Sequence, residues 1–230
     1  MAETISYDCS GDLAIVAIDD GKANALSPDL MRGIHGALDR AEKDGAGVLL
    51  IGRPKRFSAG FDLGVMTKGG PDAARAMVRD GAELAVRIAR HPAPVVIGCT
   101  GHALAMGAVL LLSADLRIGV RGDFKLGFNE VAIQMTTPVF LMEFARERLS
   151  KRHLQRATVQ AEIYAPEAAV DAGFLDRVVE PEELLETAKA ETQRLASLPR
   201  AAFVATRAKA RSGVLERIET TLTGDLAGTF

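Results

Sequence analysis

The sequence has few cysteines, no tryptophan, no long apolar run and no excess of charge of one sign. Its two cysteines, Cys9 and Cys99, lie far apart and form no CxxC motif, and none of the four histidines stands at metal-ligand spacing from them. This pattern argues against a disulfide framework and against a zinc site, so we expect no metal. The formal net charge is only −2 over 230 residues. We therefore expect no attraction of the whole surface to nucleic acid or to an anionic membrane.

No segment has the pattern of a membrane span or a targeting signal. The longest apolar stretch, residues 103–112, is far too short to cross a bilayer. Residues 1–12 contain acids and no long apolar run, unlike a secretory signal or a transit peptide. The content of 48% hydrophobic and 25% charged residues is typical of a globular protein. These features predict a soluble, cytoplasmic protein with one domain, or one domain with an appendage.

Short β-branched runs alternate with helical patterns along most of the chain. Ser27 and Pro28 are typical of a helix start and Gly45 of its end, while Asp72 opens a second helix that stops at His91. Because strands alternate with helices, the pattern predicts an α/β fold. The runs predicted to form buried strands are residues 13–18, 48–51, 95–97, 116–120 and 175–179.

The chain changes character after residue 179. No strand pattern follows, and Leu215, Ile218, Leu222 and Leu226 form an amphipathic stripe at helical spacing. Such a stripe must pack on the core or on another subunit. We therefore predict a core of residues 1–180 and a helical segment of residues 181–230.

Two turns rich in small residues are candidate binding elements. Residues 58–63 follow a strand, and Gly60 permits backbone angles that aim a free N–H at a ligand; the alternative is a tight turn in which Asp62 caps a helix. Residues 101–108 lead into an apolar helix, whose first turn has unpaired N–H groups and the positive end of the helix dipole. That geometry suits an oxyanion. The alternative is close packing of a buried helix.

Glu130 is the candidate acid/base group. It lies among Phe128, Val131 and other apolar residues, which disfavour the charged carboxylate and make it a better proton acceptor near neutral pH. The alternative is a solvated acid in a loop.

Taken together, ordered blocks along nearly the whole chain resemble the crotonase family, also called the enoyl-CoA hydratase/isomerase family. The resemblance implies an α/β fold, a crotonase-like spiral of ββα units with a C-terminal helical oligomerisation segment. It also implies an enzyme that binds an acyl-CoA thioester and stabilises its enolate. The blocks are residues 22–26, 58–63, 101–107, 114–118, 129–130 and 168–179.

The resemblance also implies a role for each matching residue. The backbone N–H groups of Phe61 and Met106 would form the oxyanion hole, and Glu130 would carry the proton. No cofactor is implied, because coenzyme A is part of the substrate. The coenzyme A handle would lie along Lys22, Ala23, Ala25, Ala59, Asp62 and Leu63.

The main departure from the family pattern is Val109. Hydratases of the family use two glutamates, and Val109 occupies the position of the first. Adding water needs a base for the water and an acid for Cα, whereas one carboxylate can move a double bond by carrying a proton from C2 to C4. Family members resembling mitochondrial Δ3,Δ2-enoyl-CoA isomerase keep only the residue matching Glu130. The sequence therefore favours an isomerase.

Several alternatives stay open. Hydration is the first, since Thr136, Thr137 or His102 could position a water molecule. A catalytically weak acyl-CoA-binding protein is the second. Other enolate chemistry, such as thioester hydrolysis, decarboxylation or dehalogenation, has no supporting Asp, His or Trp.

The resemblance implies assembly into a homotrimer or hexamer, with the stripe from Leu215 to Leu226 buried between subunits. A lid over the acyl chain is expected in residues 64–90. The basic segment around Arg207 and Arg211 either contacts the phosphates of coenzyme A or forms a solvated helix face.

Overall fold

A computed structural model describes residues 4–228, apart from the side chains of Thr223 and of residues 225–228. It contains two sheets surrounded by helices. The strands are β1 (Ile5–Ser10), β2 (Leu13–Ile18), β3 (Gly47–Gly52), β4 (Lys55–Ser58), β5 (Val95–Cys99), β6 (Gly101–Leu104), β7 (Leu116–Val120), β8 (Leu126–Gly127), β9 (Ile163–Tyr164) and β10 (Arg177–Val179). The α-helices are α1 (Pro28–Asp44), α2 (Leu63–Lys68), α3 (Gly70–Arg90), α4 (Met106–Ser113), α5 (Val139–Arg148), α6 (Lys151–Thr158), α7 (Pro166–Ala172), α8 (Leu184–Ala196) and α9 (Arg200–Gly228). Short 3₁₀ turns cover Val131–Ile133 and Pro181–Glu183.

The chain alternates between the two sheets. The larger sheet has the order β1-β2-β3-β5-β7-β10 and is parallel from β2 onward; the smaller has the order β4-β6-β8-β9. Each of β3, β5 and β7 in the large sheet is followed by β4, β6 or β8 in the small one, and then by helix. Since parallel strands need a crossover connection, this repetition forms the spiral of ββα units. It also places the carboxyl ends of β4 and β6 side by side, because these strands pair in parallel.

The predicted helix signals operate as expected at α1. The Ser27 hydroxyl accepts from the N–H of Leu30 at 3.2 Å, and Gly45 ends the helix with φ 68°. The second predicted helix, α3, begins at Gly70 instead of Asp72, with Gly69 as its N-cap and Pro71 in its first turn. Its end at His91 agrees with the sequence, where Pro92 follows.

All five predicted strands are present, and three of them have shifted boundaries. The strand predicted over residues 48–51 extends by one residue at each end, and the strand predicted over residues 95–97 continues to Cys99. The last of them, predicted over residues 175–179, begins only at Arg177. The small sheet was not predicted, and the segment expected to turn directly into α4 first forms strand β6. Its strands are only two to four residues long, too short for a period of two to be visible.

The C-terminal helices pack on their own chain. Leu184 and Ala188 of α8 are buried in a cluster with Leu49 and Val96 of the large sheet. On α9, Leu215 and Ile218 are 4% and 1% exposed and join the main core. The prediction that the stripe is buried between subunits is therefore wrong for these residues, because α9 runs over α3 and α5. Leu222 is partly buried against the same core, and the side chain of Leu226 lies outside the described residues.

Neither alternative stated for the basic segment of α9 fits Arg207 and Arg211. Their side chains are not solvated, and they are already paired and so not free to bind phosphate. Arg207 and Arg211 both donate to the Asp115 carboxylate, at 2.7 and 2.9 Å, and all three side chains are less than 10% exposed. Arg217 pairs with the buried Glu143 of α5. These cations hold α9 to the core, since a buried charge requires a partner of opposite sign.

Candidate active site

A buried asparagine joins two of the segments singled out in the sequence. Asn24 is fully buried with φ 51°, and its side-chain amide donates to the carbonyls of Ile18 and Phe57 at 2.9 and 3.1 Å. Its Oδ1 accepts from the N–H of Asp20 at 2.9 Å. No pattern in the sequence predicts this role. These bonds fix residues 22–26 beside the end of β4.

The backbone then pairs residues 23–26 with residues 59–62. The N–H of Ala59 donates to Ala23 at 3.0 Å, and the N–H of Leu26 donates to Gly60 at 2.8 Å. Ala23, Ala25 and Ala59, predicted to contact the coenzyme A handle, are thereby brought together at one edge. They keep side-chain bulk low along that edge.

The turns after β4 and β6 are in direct contact. Gly60 has φ 89°, and a Cβ added there would lie 2.7 Å from the Cβ of Ala105 and 3.2 Å from the nitrogen of Met106. Any larger residue at position 60 would push the two turns apart. Glycine is therefore required both for the backbone angle and for the close approach.

Two backbone N–H groups at these turns have no acceptor. Within residues 4–228, neither Phe61 nor Met106 donates its N–H to another group of the chain. Met106 is the first residue of α4, so its N–H points out of the helix at the positive end of the dipole. Ala105, just before it, has φ 51° and ψ −124°, a conformation that costs a non-glycine residue about 1–3 kcal/mol.

An apolar cleft opens next to these N–H groups. Phe61, Met106 and Glu130 all line it. Its remaining walls come from α2, from one residue of α3 and from α5 with the segment before it. Its lining includes Leu63, which is 51% exposed. Further apolar lining residues are Met66, Val78, Ile133, Phe140 and Leu141.

Glu130 is the single ionisable side chain among the lining residues in the part of the chain that is described. It is 6% exposed, and burial raises its pKa from 4.5 to about 7, an effect that hydrogen bonds with the backbone only partly offset. Its Oε2 finds no partner within the described residues. A carboxyl group in this state exchanges protons readily near neutral pH. The alternative stated for Glu130, a solvated acid in a loop, is excluded by this burial.

Comparison with known proteins identifies the family. The family model for enoyl-CoA hydratase/isomerase matches residues 9–227. The chain belongs to the enoyl-CoA hydratase/isomerase family. The solved structure of a family protein from Pseudomonas syringae is 42% identical and covers 99% of this chain and 98% of its own, with a TM-score of 0.96. The predicted crotonase-like α/β fold is thereby confirmed.

Relatives within this family are named for two reactions. Human mitochondrial enoyl-CoA delta isomerase 1 is 26% identical over 96% of this chain and 75% of its own length. A putative enoyl-CoA hydratase from Thermus thermophilus is 32% identical over 81% of this chain and 75% of its own length. The enoyl-CoA hydratase/isomerase family is thus a family of enzymes, and the choice of reaction depends on the groups in the cleft.

Val109, predicted to occupy the position of the first hydratase glutamate, is a core residue. Val109 lies in the first turn of α4, is 0% exposed and is not part of the cleft lining. Among the residues suggested to hold a water molecule, His102 accepts from the N–H of Lys125 at 3.0 Å, and Thr136 is exposed. Neither they nor Thr137 line the cleft.

Two predicted handle residues, Asp62 and Lys22, do not line the cleft. Asp62 caps α2 by accepting from the N–H groups of Gly64 and Val65 at 2.9 and 3.3 Å, which is the structural alternative stated for it. Lys22 is exposed, and its side chain does not line the cleft. Within residues 4–228, no group of three or more His, Cys, Asp and Glu side chains is arranged to hold a metal ion, and no helix is long and apolar enough to cross a membrane.

Asn129 is a polar cleft residue that the sequence reasoning passed over. It lines the cleft beside Glu130, and its buried Oδ1 has no partner in the described part of the chain. Two adjacent side-chain oxygens without donors are uncommon in a folded interior. They indicate that this end of the cleft is suited to a ligand or water that donates hydrogen bonds.

Proposed function

We propose that this protein is an enoyl-CoA isomerase that moves the double bond of a 3-enoyl-CoA thioester to the 2 position. The observation that carries the proposal is the makeup of the cleft. Among its described lining residues Glu130 alone carries a titratable side chain, and the described residues offer no acceptor to the two backbone N–H groups at its border. One carboxylate is sufficient for this reaction. Addition of water is better served by two.

The reaction follows from the placement of these groups. The thioester oxygen accepts from the N–H groups of Phe61 and Met106, and the Glu130 carboxylate removes a proton from C2. The C–H electron pair delocalises through the carbonyl to give a dienolate, whose negative charge rests on that oxygen. Protonated Glu130 then returns the proton to C4, and the double bond forms between C2 and C3. Each N–H donor contributes about 3–4 kcal/mol to such a transition state.

We assign the coenzyme A handle to the edge formed by residues 22–26 and 59–63. The paired backbone of these segments and their small side chains support this assignment. No cofactor beyond the coenzyme A of the substrate enters the proposed reaction. A homotrimer or hexamer in the cytoplasm, with residues 1–180 as the catalytic core and 181–230 as the helical segment, stays a prediction.

Hydration is the second candidate, and Asn129 is the reason to keep it. The unpaired Oδ1 of Asn129 and Oε2 of Glu130 are acceptors that a water molecule in the cleft would satisfy. The hydratase name of the T. thermophilus relative is compatible with this alternative. Nothing in the cleft favours a catalytically weak binding protein over either reaction.

The test is an assay of the purified protein with 3-enoyl-CoA and with 2-enoyl-CoA, beside Glu130→Gln. Conversion of 3-enoyl-CoA to the 2-enoyl isomer, lost in the variant, is the expected result. Glu182→Gln, at an exposed glutamate, is the control for removing one carboxylate. Fast hydration of 2-enoyl-CoA, with slow isomerisation, would overturn the proposal in favour of the hydratase.

A further inference from the structure

The side chains of the two proposed oxyanion-hole residues meet at one point on α3. That point is Gly81, a buried glycine near the middle of the helix. A Cβ added there would lie 2.6 Å from Cε1 of Phe61 and closer still to its Cζ, and 3.4 Å from the sulfur of Met106. Real Cβ atoms do not approach carbon atoms so closely. Any side chain at position 81 must therefore displace the Phe61 ring.

A glycine at this place needs a reason other than backbone conformation. Gly81 lies inside a helix of 21 residues, where glycine is the least favourable residue apart from proline. Val78, one turn earlier on the same helix, lines the cleft. The missing side chain at 81 thus opens a notch on the helix face directed toward the site.

We propose that Gly81 is a positioning residue for the oxyanion hole, because its notch seats the Phe61 ring and the Met106 sulfur and so fixes the two backbone N–H groups. This proposal rests on the proposed function, since it takes those N–H groups as the donors to the thioester. The ring of Phe61 is linked to its own backbone nitrogen through Cβ and Cα. When the ring is pushed out of the notch, the turn that contains Gly60 and Phe61 moves with it.

The first variant is Gly81→Ala. A displacement of about 1 Å at a reacting group costs on the order of 100-fold in rate, so we expect kcat to fall by about 10- to 100-fold. KM changes much less, because the two donors act mainly on the enolate-like transition state. A residue that only packs in the core would leave kcat unchanged and alter only the melting temperature.

The second variant separates the ring contact from general damage to α3. Leucine lacks the Cε1 and Cζ atoms that an alanine Cβ at position 81 would meet, so Phe61→Leu removes the collision and keeps the backbone N–H. Gly81→Ala is therefore measured in the wild-type and in the Phe61→Leu backgrounds. We expect a loss of at least about 10-fold in the first and less than about threefold in the second, since contacting residues couple. Equal losses in both backgrounds, or no loss in either, would overturn the proposal.

The matched control is Gly36→Ala in α1. Gly36 is exposed within its helix, and nothing lies within 4 Å of a Cβ added there. The substitution brings the same gain in helix propensity, which raises the melting temperature by about 2–4 °C, and leaves kcat unchanged. A kcat loss in Gly36→Ala equal to that in Gly81→Ala would show that the contact at the notch is not the cause.

A second readout keeps this proposal separate from the choice of reaction. Exchange of the C2 protons of butyryl-CoA with D2O needs the oxyanion hole and the base, but neither isomerisation nor hydration. A wild-type protein that exchanges these protons without isomerising 3-enoyl-CoA would refute the isomerase. The exchange rates of the wild type, Gly81→Ala, Phe61→Leu, the double variant and Gly36→Ala would still decide the role of Gly81.

Discussion

The raised pKa of Glu130 predicts that its replacement by glutamine stabilises the protein while it abolishes activity. The folded-state pKa is about 7, against an ordinary value of 4.5 for an unfolded glutamate. Below pH 4.5 the carboxyl is protonated in both states. Above pH 7 it is ionised in both, and the folded protein then carries the full penalty of a buried charge. Stability from this group is therefore present at low pH and lost as the pH rises from 4.5 to 7.

The size of the effect follows from the shift. A difference of one pKa unit corresponds to about 1.4 kcal/mol, so this shift amounts to about 3 kcal/mol in the free energy of unfolding. Glu130→Gln has no charge to bury and escapes that penalty. For a protein of this size, we expect its melting temperature to exceed that of the wild type by about 6–12 °C above pH 7.

The assay is thermal or urea unfolding of both proteins between pH 4 and pH 8.5. The informative quantity is the difference between their free energies of unfolding at each pH, because other titrating groups cancel. Any fixed effect of the amide adds the same offset at every pH. A difference that does not change between pH 4 and pH 8.5, or that changes in favour of the wild type at high pH, would refute the reasoning. The same ionisation should appear as a rise of kcat/KM with pH, centred near pH 7.

Two further variants test the parts that hold the site. Ala105→Gly, at the strained residue before α4, should raise the free energy of unfolding by about 1 kcal/mol in a urea titration, because glycine adopts this conformation freely. We expect kcat to stay near the wild-type value. A loss of stability would mean that the strain is absent. Asp115→Ala should cost about 3–5 kcal/mol by the same titration, because two buried guanidinium groups lose their partner. Asp29→Ala, at an exposed ion pair with Arg32, is the control and should change stability by less than about 1 kcal/mol.

Local signals in the sequence were sufficient for the elements that have their own periodicity or caps. The bounds of α1 follow from Ser27, Pro28 and Gly45, and strands such as Leu13–Ile18 follow from an unbroken apolar run. Glu130 stood out locally as an acid among apolar residues, while its catalytic role followed from the family resemblance. In each of these cases the residues that give the signal lie within a few residues of the feature that they predict.

What the sequence did not show depends on contacts between distant segments. Arg207 and Arg211 form a basic run on a helix, and only the fold brings them to Asp115, which lies 92 and 96 residues away. From the sequence, Asn24 is typical of a loop residue. Only the fold brings the carbonyl of Phe57, at the end of β4, to its side-chain amide. The need for glycine at position 81 of α3 is visible only when the fold places the Phe61 ring against it.

Three unfavourable features occur together at the cleft, and their coincidence is itself an argument for catalysis. Ala105 has a strained backbone, and the Glu130 carboxyl is buried. Among the residues that the structure describes, neither Oε2 of Glu130 nor the N–H groups of Phe61 and Met106 have a hydrogen-bond partner. Each of them lowers the stability of the folded protein, so stability alone does not explain why they are present. When the substrate binds, a ligand oxygen would accept hydrogen bonds from both N–H groups, and the carboxylate would take a substrate proton. Binding would thereby offset the cost of the N–H groups and of the buried carboxyl. The surrounding structure supports the first, because the turn is clamped between Gly60 on one side and α4 on the other, and such strain persists only where the neighbouring structure enforces it.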